Sequence, residues 1–210
     1  NSQSGKGGMA YLLKTNHNLD LPKRLQIEFE KVVQAYADET KREVKDEDIW
    51  RLFKDEYLPV EDSGATAAGA VVGDHGDDTL KQWGRLKLLN VSVSSGEDGS
   101  DTVIKVKMLD RGTDLANSGD DQIRELTGTG NGPIDAFINV ISTLGIKVSV
   151  KDYVEHTMTA SADAMAASYV ECQISDEGDN SQVIWGVGID SSIITSSLKA
   201  IISAINRSER

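Results

Sequence analysis

The sequence predicts an α+β fold in which a small helical subdomain is followed by two β-β-β-α units packed together. One observation is the order of the predicted elements, in which three strand-like runs precede a helix and the same order then repeats. A second is that glycine-x-glycine pairs mark the same point in both repeats, Gly128 with Gly130 and Gly186 with Gly188. One unit alone cannot bury all of its apolar surface, because its single helix covers only one face of its sheet. Two such units packed together bury the remaining apolar surface.

Two helices are predicted ahead of the strands from apolar residues at helical spacing. The first begins near Pro22, which suits a first helical turn, and continues to about Glu39. The second begins at Asp46, where acidic residues favour a helix N-terminus, and ends before the next proline. Two further helices follow the strand triplets, with apolar stripes that start at Ile134 and Ile194.

Alternating apolar and charged residues predict the strands. Ile104, Val106 and Met108 alternate with lysines, as expected for a strand with one buried face. The alternation reverses at Leu89 and Asn90, which predicts a bulge or a bend within the first strand. The six strands are expected near residues 83–95, 102–110, 121–127, 146–156, 164–175 and 182–189.

A change of composition predicts the domain organisation. The segment from Glu61 to Asp78 contains mostly small, glycine and acidic residues, so it can bury little surface. We therefore predict a helical linker subdomain at 1–60, an acidic flexible linker at 61–80 and a further domain at 81–210. The chain starts without methionine, and we expect it to be part of a longer protein.

Composition argues against several functions. The net charge of -12 disfavours nucleic acid and anionic membrane surfaces as partners. No apolar run approaches the ~20 residues that span a bilayer, and no export signal is recognisable. The single cysteine, Cys172, alternates with Val170 and Ile174, which predicts a buried, inert thiol. These features favour a cytoplasmic protein.

The glycine pairs allow two interpretations. A glycine turn that opens a helix exposes backbone N–H groups, and Pro133 at the first helical position makes Gly132 the expected N-cap. This arrangement favours binding of a small anion such as a carboxylate. The alternative is that the glycines serve only a structural turn.

No catalytic or metal-binding constellation is recognisable in the sequence. The histidines His17, His75 and His156 lie far apart, and none has a second ligand at a metal-type spacing. We expect His17 in a polar loop, His75 in the linker, and His156 as a hydrogen-bonded residue on a strand. Neither a serine-histidine-acid set nor a glycine-x-serine-x-glycine elbow is present.

Three groups of motifs, in this order, carry a family resemblance. They are Asn1-Ser2-Gln3-Ser4-Gly5-Lys6-Gly7-Gly8, the run from Leu19 to Phe29, and Gly130-Asn131-Gly132-Pro133 with Trp185-Gly186-Val187-Gly188-Ile189. Over nearly its whole length the chain resembles 2-isopropylmalate synthase of the long, actinobacterial and fungal type. The resemblance implies that this is the C-terminal part of the enzyme, with a linker subdomain and a leucine-binding regulatory domain.

The resemblance also implies what lies outside this chain. In the family, an N-terminal (β/α)8 barrel carries a divalent metal (Mg, Mn or Zn) and condenses acetyl-CoA with 2-oxoisovalerate in leucine biosynthesis. We therefore expect this segment to hold no cofactor and to be inactive alone. We also expect a homodimer that is subject to feedback inhibition by leucine.

Two residues match helpers of catalysis in the family. A histidine and a tyrosine of the family's linker subdomain reach the active site of the partner protomer, and the matching positions are His17 and Tyr57. Asn16 and Asn18 replace the family's usual aspartate and glycine beside the histidine, which changes its surroundings. Tyr57 also continues the apolar stripe of the second helix.

A leucine site between the two units is implied as well. The leucine carboxylate would lie near the N–H groups of Gly130 to Ile134, with its side chain in an apolar pocket. Thr157 and Asp135 replace alanines of the family. Asp135 could pair with the ammonium group, favour the helix dipole or repel the carboxylate. The expected residues are Gly130, Asn131, Gly132, Ile134, Asp135, Val150, Tyr153, Thr157, Ala164, Ala166 and Ile193.

Two alternatives remain open at this point. Citramalate synthase belongs to the same superfamily, and its related domain senses isoleucine. A stand-alone amino-acid-binding or dimerisation module, with no enzyme attached, is the other.

Overall fold

A computed structural model of the chain describes residues 7–58, 84–96, 101–112, 122–158, 164–175, 178 and 180–210. The helices are α1 (Gly8–His17), α2 (Lys23–Thr40), α3 (Asp46–Tyr57), α4 (Pro133–Ser142) and α5 (Ile193–Ser208). The strands are β1 (Leu86–Ser94), β2 (Thr102–Asp110), β3 (Gln122–Gly130), β4 (Lys147–Thr157), β5 (Ala166–Ser175) and β6 (Ser181–Asp190). The predicted linker at 61–80, with His75, lies outside the described residues.

The predicted α+β class and the repeated β-β-β-α order are confirmed. Strands β1, β2 and β3 form one antiparallel sheet, strands β4, β5 and β6 form a second, and each sheet is followed by a helix. The register of β1 shifts between Leu88 and Asn90, which confirms the predicted bulge. Strand β4 also has a register shift, between Val150 and Asp152, so the first strand of each unit is irregular.

Helix α1 was not predicted, and it changes the setting of His17. Only Met9 and Leu13 of this helix are buried, so its apolar pattern is too short to stand out. The helix ends at Asn18, whose left-handed conformation (φ 55°) lets its N–H bond to the carbonyl oxygens of Leu13 and Lys14. His17 is therefore the last residue of a helix, and its expected place in a polar loop is wrong.

The glycine pairs are strand residues and not turns. Gly128 and Gly130 belong to β3, and Gly186 and Gly188 belong to β6. A Cβ at Gly186 would overlap the carbonyl oxygen of Ala200, and one at Gly128 would lie 2.6 Å from Cγ2 of Val140. The glycines therefore let α4 and α5 lie directly on the strands that precede them. Their role is structural, but they fill it within strands and not within the turns that the sequence predicted.

Two apolar cores lie on opposite faces of the second sheet. One is shared by both units and includes Ile104, Phe137 and Ile201. The other joins α1, α2 and α3 to the opposite face of β5 and β6, where Trp185 and Tyr169 are buried. The second sheet is therefore covered on both faces. Within the described ranges, no helix is both long and apolar enough to cross a membrane.

Candidate effector site and interdomain cleft

The start of α4 has the geometry that the sequence predicted. Gly132 is the N-cap and Pro133 the first helical residue, and the N–H of Ala136 makes a hydrogen bond to the carbonyl oxygen of Gly132. The N–H groups of Ile134 and Asp135 belong to the first turn, which has no intrahelical acceptors. They are the donors that a small carboxylate could use at this exposed end of the helix.

Asp135 is built into this helix start. Its Oδ2 accepts a hydrogen bond from the N–H of Asn131 at 2.9 Å. The carboxylate therefore stabilises the turn and interacts favourably with the helix dipole. Because it adds negative charge beside the exposed N–H groups, it opposes a second carboxylate at the same place.

A second group of predicted residues lies where α5 begins. Thr157 of β4 pairs with Ala166 of β5, and Ala166 pairs with Asp190 at the end of β6. Ile193 opens α5 directly after this point and is 52% exposed. The hydroxyl groups of Tyr153 and Ser197 lie 2.7 Å apart, which joins β4 to the first turns of α5.

The eleven predicted effector residues are thus divided between two helix starts. Gly130, Asn131, Gly132, Ile134 and Asp135 lie at the start of α4, and Tyr153, Thr157, Ala166 and Ile193 lie around the start of α5. Ala164 precedes β5. Ile134, Val150 and Tyr153 pack at the margin of the same shared core. Val150 and Thr157 stand roughly 23 Å apart along β4 at the usual rise per residue, so the predicted residues extend along most of this strand.

A buried serine cluster beneath α5 was missed by the sequence analysis. The hydroxyl oxygens of Ser168 and Ser196 lie 2.7 Å apart, and Ser197 donates a hydrogen bond to the carbonyl oxygen of Ile193 at 2.9 Å. All three side chains are buried, and they satisfy one another's hydrogen-bonding groups. The available signal was Ser197, which lies at helical spacing between Ile194 and Ile201 on the apolar stripe of this helix.

The predicted helper His17 lies in a cleft that the helical subdomain forms with the second unit and with Lys87 and Leu88 of β1. The cleft has a volume of about 740 Å³. The His17 ring stacks on Trp50 with 3.8 Å between centroids and an interplanar angle of 11°. Burial and the positive charge of Lys54 lower the pKa of His17 below its ordinary value, so the neutral imidazole is favoured. Asn16 and Asn18 also line this cleft.

Tyr57 does not line the described cleft. Its side chain is 0% exposed, and its hydroxyl group donates a hydrogen bond to Glu28 at 2.8 Å. Burial raises the pKa of Tyr57 well above its ordinary value, and the nearby Glu28 carboxylate adds to this effect while Arg207 opposes it. The structure therefore separates the two predicted helpers, and Tyr57 reaches a reaction centre only when its surroundings open.

The predictions for His156 and for the burial of Cys172 agree with the structure. Nε2 of His156 lies 2.8 Å from the Tyr169 hydroxyl and accepts a hydrogen bond from the Asp20 N–H at 3.2 Å. His156 is thus a hydrogen-bonded strand residue, as predicted. Cys172 is buried, as predicted, and burial raises its pKa to about 12. Among the residues that the structure describes, no group of three or more histidine, cysteine or acidic residues could hold a metal ion.

Comparison with known proteins decides the family. A family model described as the LeuA allosteric (dimerisation) domain matches residues 43–209. The chain belongs to this family. It is 73% identical over 212 residues to the 2-isopropylmalate synthase of Bifidobacterium longum subsp. infantis. The aligned region comprises 100% of this chain and 33% of that protein. It is 45% identical over 210 residues to the 2-isopropylmalate synthases of Clavibacter sepedonicus and Kineococcus radiotolerans, each covered to 31%.

Membership of this family confirms the resemblance that the motifs indicated. The chain spans about a third of the length of the curated relatives it matches. The family match starts at residue 43, inside the predicted helical subdomain, and includes both β-β-β-α units. The LeuA domain is therefore formed by α3, the two sheets, α4 and α5, and the second apolar core attaches α1 and α2 to it.

Proposed function

We propose that this chain is the leucine-sensing regulatory part of a homodimeric 2-isopropylmalate synthase. The observation that carries the proposal is the pair of helix starts on a duplicated β-β-β-α unit, in a chain that belongs to an allosteric domain family. One start offers backbone N–H groups from Ile134 and Asp135. The other offers the exposed apolar side chain of Ile193 and the hydroxyl of Tyr153.

The chemistry of these groups suits a small apolar amino acid. Backbone N–H groups at a helix start bind a carboxylate, and partly buried aliphatic side chains remove an isobutyl group from water. Ile134 and Val150 supply such apolar surface at the margin of the shared core. The Asp135 carboxylate lies in the same turn, accepts a hydrogen bond from the Asn131 N–H and adds negative charge beside the place of the ligand carboxylate.

The reaction belongs in this proposal to a part of the protein outside the chain. That part would bind acetyl-CoA, 2-oxoisovalerate and a divalent metal such as Mg, Mn or Zn, and this chain would gate its activity. His17 and Tyr57 would act as helpers. Leucine inhibits because it binds one conformation of the regulatory domain better than another and so shifts the population toward a less active state.

Calorimetric titration of the full-length protein that carries this sequence tests the proposal. We expect saturable heat with leucine at millimolar concentration or below and weaker binding of isoleucine. Tighter binding of isoleucine would assign the domain to a citramalate synthase instead. Saturable binding of leucine without condensation of acetyl-CoA and 2-oxoisovalerate would favour a stand-alone sensor. A flat titration with both amino acids would contradict an effector role.

Asp135 gives a sharper test of where the carboxylate binds. Asp135→Asn keeps an oxygen that can accept the Asn131 N–H but removes the negative charge. We expect leucine affinity to rise about two- to fivefold, which corresponds to the ~0.3–1 kcal/mol that a charge contributes at a helix start. Asp38→Asn, an exposed change on α2, is the matched control and should leave affinity unchanged. Weaker binding by Asp135→Asn would show instead that this carboxylate holds the ligand ammonium.

A further inference from the structure

The last turn of α5 is attached to the helical subdomain by a buried arginine. The side chain of Arg207 is 5% exposed. Its Nη1 donates hydrogen bonds to Glu28 of α2, at 2.5 Å, and to the carbonyl oxygen of Trp185 in β6. Its Nε and Nη2 donate to Oε1 of Glu56 in α3 at 2.9 and 2.7 Å. One guanidinium group therefore joins α5 to both long helices of the subdomain.

The same buried cluster contains Tyr57, one of the predicted helpers. The guanidinium carbon of Arg207 lies 4.2 Å from the centre of the Tyr57 ring, and Glu28 accepts a hydrogen bond from the Tyr57 hydroxyl. One turn earlier in α5, Ser203 donates a hydrogen bond to the carbonyl oxygen of Tyr57 at 2.6 Å. The end of α3 is therefore bonded to α5 through two successive turns.

The opposite end of α5 lies at the proposed effector site. Ile193 opens the helix there, and Ser197 is within hydrogen-bonding distance of Tyr153. The 16 residues of α5 span about 24 Å at the standard helical rise. One helix thus touches the proposed effector site at its first turn and Tyr57 at its last.

Helix α5 is held tightly enough to act as one body with β6. Neither Gly186 nor Gly188 leaves room for a Cβ, because the backbone of α5 occupies that space. The N–H of Val187, between them, donates a hydrogen bond to Ser203 at 3.2 Å. A close-packed helix of this kind moves as a unit and does not bend locally, so a shift of its first turn reaches its last turn.

We propose that Arg207 couples effector binding at the start of α5 to the helical subdomain that carries Tyr57 and His17. This inference rests on the proposed leucine-binding function. The guanidinium is buried and bonded to two carboxylates, and breaking a buried ion pair on one side leaves an uncompensated charge. The end of α3 therefore follows α5 when α5 moves, and Arg207 is a positioning residue for Tyr57.

Hydrogen exchange of α3 with and without leucine tests the coupling in the full-length protein. In the unmodified protein, leucine should change the exchange of the amides in Asp46–Tyr57. Arg207→Met keeps most of the apolar stem but removes the guanidinium. It should bind leucine with a dissociation constant within about threefold of the unmodified protein, which is under ~1 kcal/mol, and lose most of the α3 response.

Arg85→Met is the matched control, because Arg85 is a partly buried arginine, 11% exposed, that binds Asp110 and Glu209 and neither α2 nor α3. This variant should keep both leucine binding and the α3 response. Where Arg207→Met fails to fold, Glu56→Gln removes one partner charge and should reduce the same response by a smaller amount.

The outcomes separate the two proposals. If leucine does not bind the unmodified protein, the effector function and the coupling both fall. If leucine binds but α3 does not respond, or if Arg207→Met and Glu56→Gln keep the full response, the coupling alone is overturned. A parallel loss in Arg85→Met would mean that the response reflects general stability, and this too would overturn a specific role for Arg207.

Discussion

The two β-β-β-α units have the same strand order, a register shift in the first strand and a glycine pair in the third, yet their surroundings differ. The outer face of the second sheet is buried under the helical subdomain, with Trp185 2% exposed. Thr127, at the equivalent position before the first glycine of β3, is exposed. The second sheet therefore lies between two layers, whereas the outer face of the first sheet is exposed at this position. The second unit makes the connection to the rest of the protein.

The two units differ in how many other elements they hold in place. The first unit contributes the start of α4 to the proposed effector site and packs on the shared core. The second unit contributes the start of α5 and, through Arg207, holds α2 and α3. We therefore expect substitutions at equivalent positions to have unequal effects, with the larger effect in the second unit.

The largest difference is expected at the Trp185 and Thr127 pair. Trp185→Ala removes a large buried side chain from the core beneath the helices and should lower the free energy of unfolding by ~3–5 kcal/mol. Thr127→Ala changes an exposed strand residue and should stay within ~0.5 kcal/mol. Denaturant titration measures both. Equal destabilisation would contradict the asymmetry of the two sheets.

The glycine pairs provide a second comparison, of intermediate size. Gly186→Ala places a Cβ against the carbonyl oxygen of Ala200, where only movement of the helix can relieve the overlap, and should cost about 1–3 kcal/mol of stability or more. Gly128→Ala meets a methyl group of Val140 first, although the Ala136 carbonyl oxygen is also close. It should cost less. Thermal unfolding of the two variants ranks them, and the reverse order would show that α4 packs the more tightly.

The smallest expected effect concerns the pKa of His17. Burial and then Lys54 disfavour the protonated imidazole, so its pKa in the folded protein should lie below 6.5, and Lys54→Met should raise it only in part. The unfolded chain then binds this proton more readily, so the stability contribution is lost as the pH falls below about 6.5. An NMR titration of the ring proton measures the pKa, with Lys31→Met on α2 as control. A pKa above 6.5 would contradict the partly buried, stacked position of His17 on Trp50.

Much of this fold was readable from the sequence because its signals are local. Alternating residues gave the strands, and the reversal at Leu89 and Asn90 gave the bulge. Helix α1 was missed because only Met9 and Leu13 face the core. The glycine pairs were placed in turns because glycine favours turns, whereas here the deciding contact comes from helices farther along the chain.

The site was less predictable because it depends on contacts between distant segments. The N-cap at Gly132 follows from its neighbours, and the sequence identified it correctly. The burial of Tyr57 and its contact with Arg207 join residues from opposite ends of the chain. The sequence shows Arg207 near the end of a helix with an apolar stripe. No spacing rule names its partners, Glu28 and Glu56.

The central claim is that the two helix starts form an amino-acid sensor, and an amide-resolved NMR titration of the full-length protein with leucine tests it most directly. The account predicts that the amide signals of Ile134 and Asp135, and those of Ile193 to Ser197, shift together and saturate at one ligand concentration. The indole signal of Trp50, in the cleft beside His17, reports direct binding in that cleft when it shifts and both helix starts do not. Saturable shifts centred on Trp50, with both helix starts unchanged, would contradict the account.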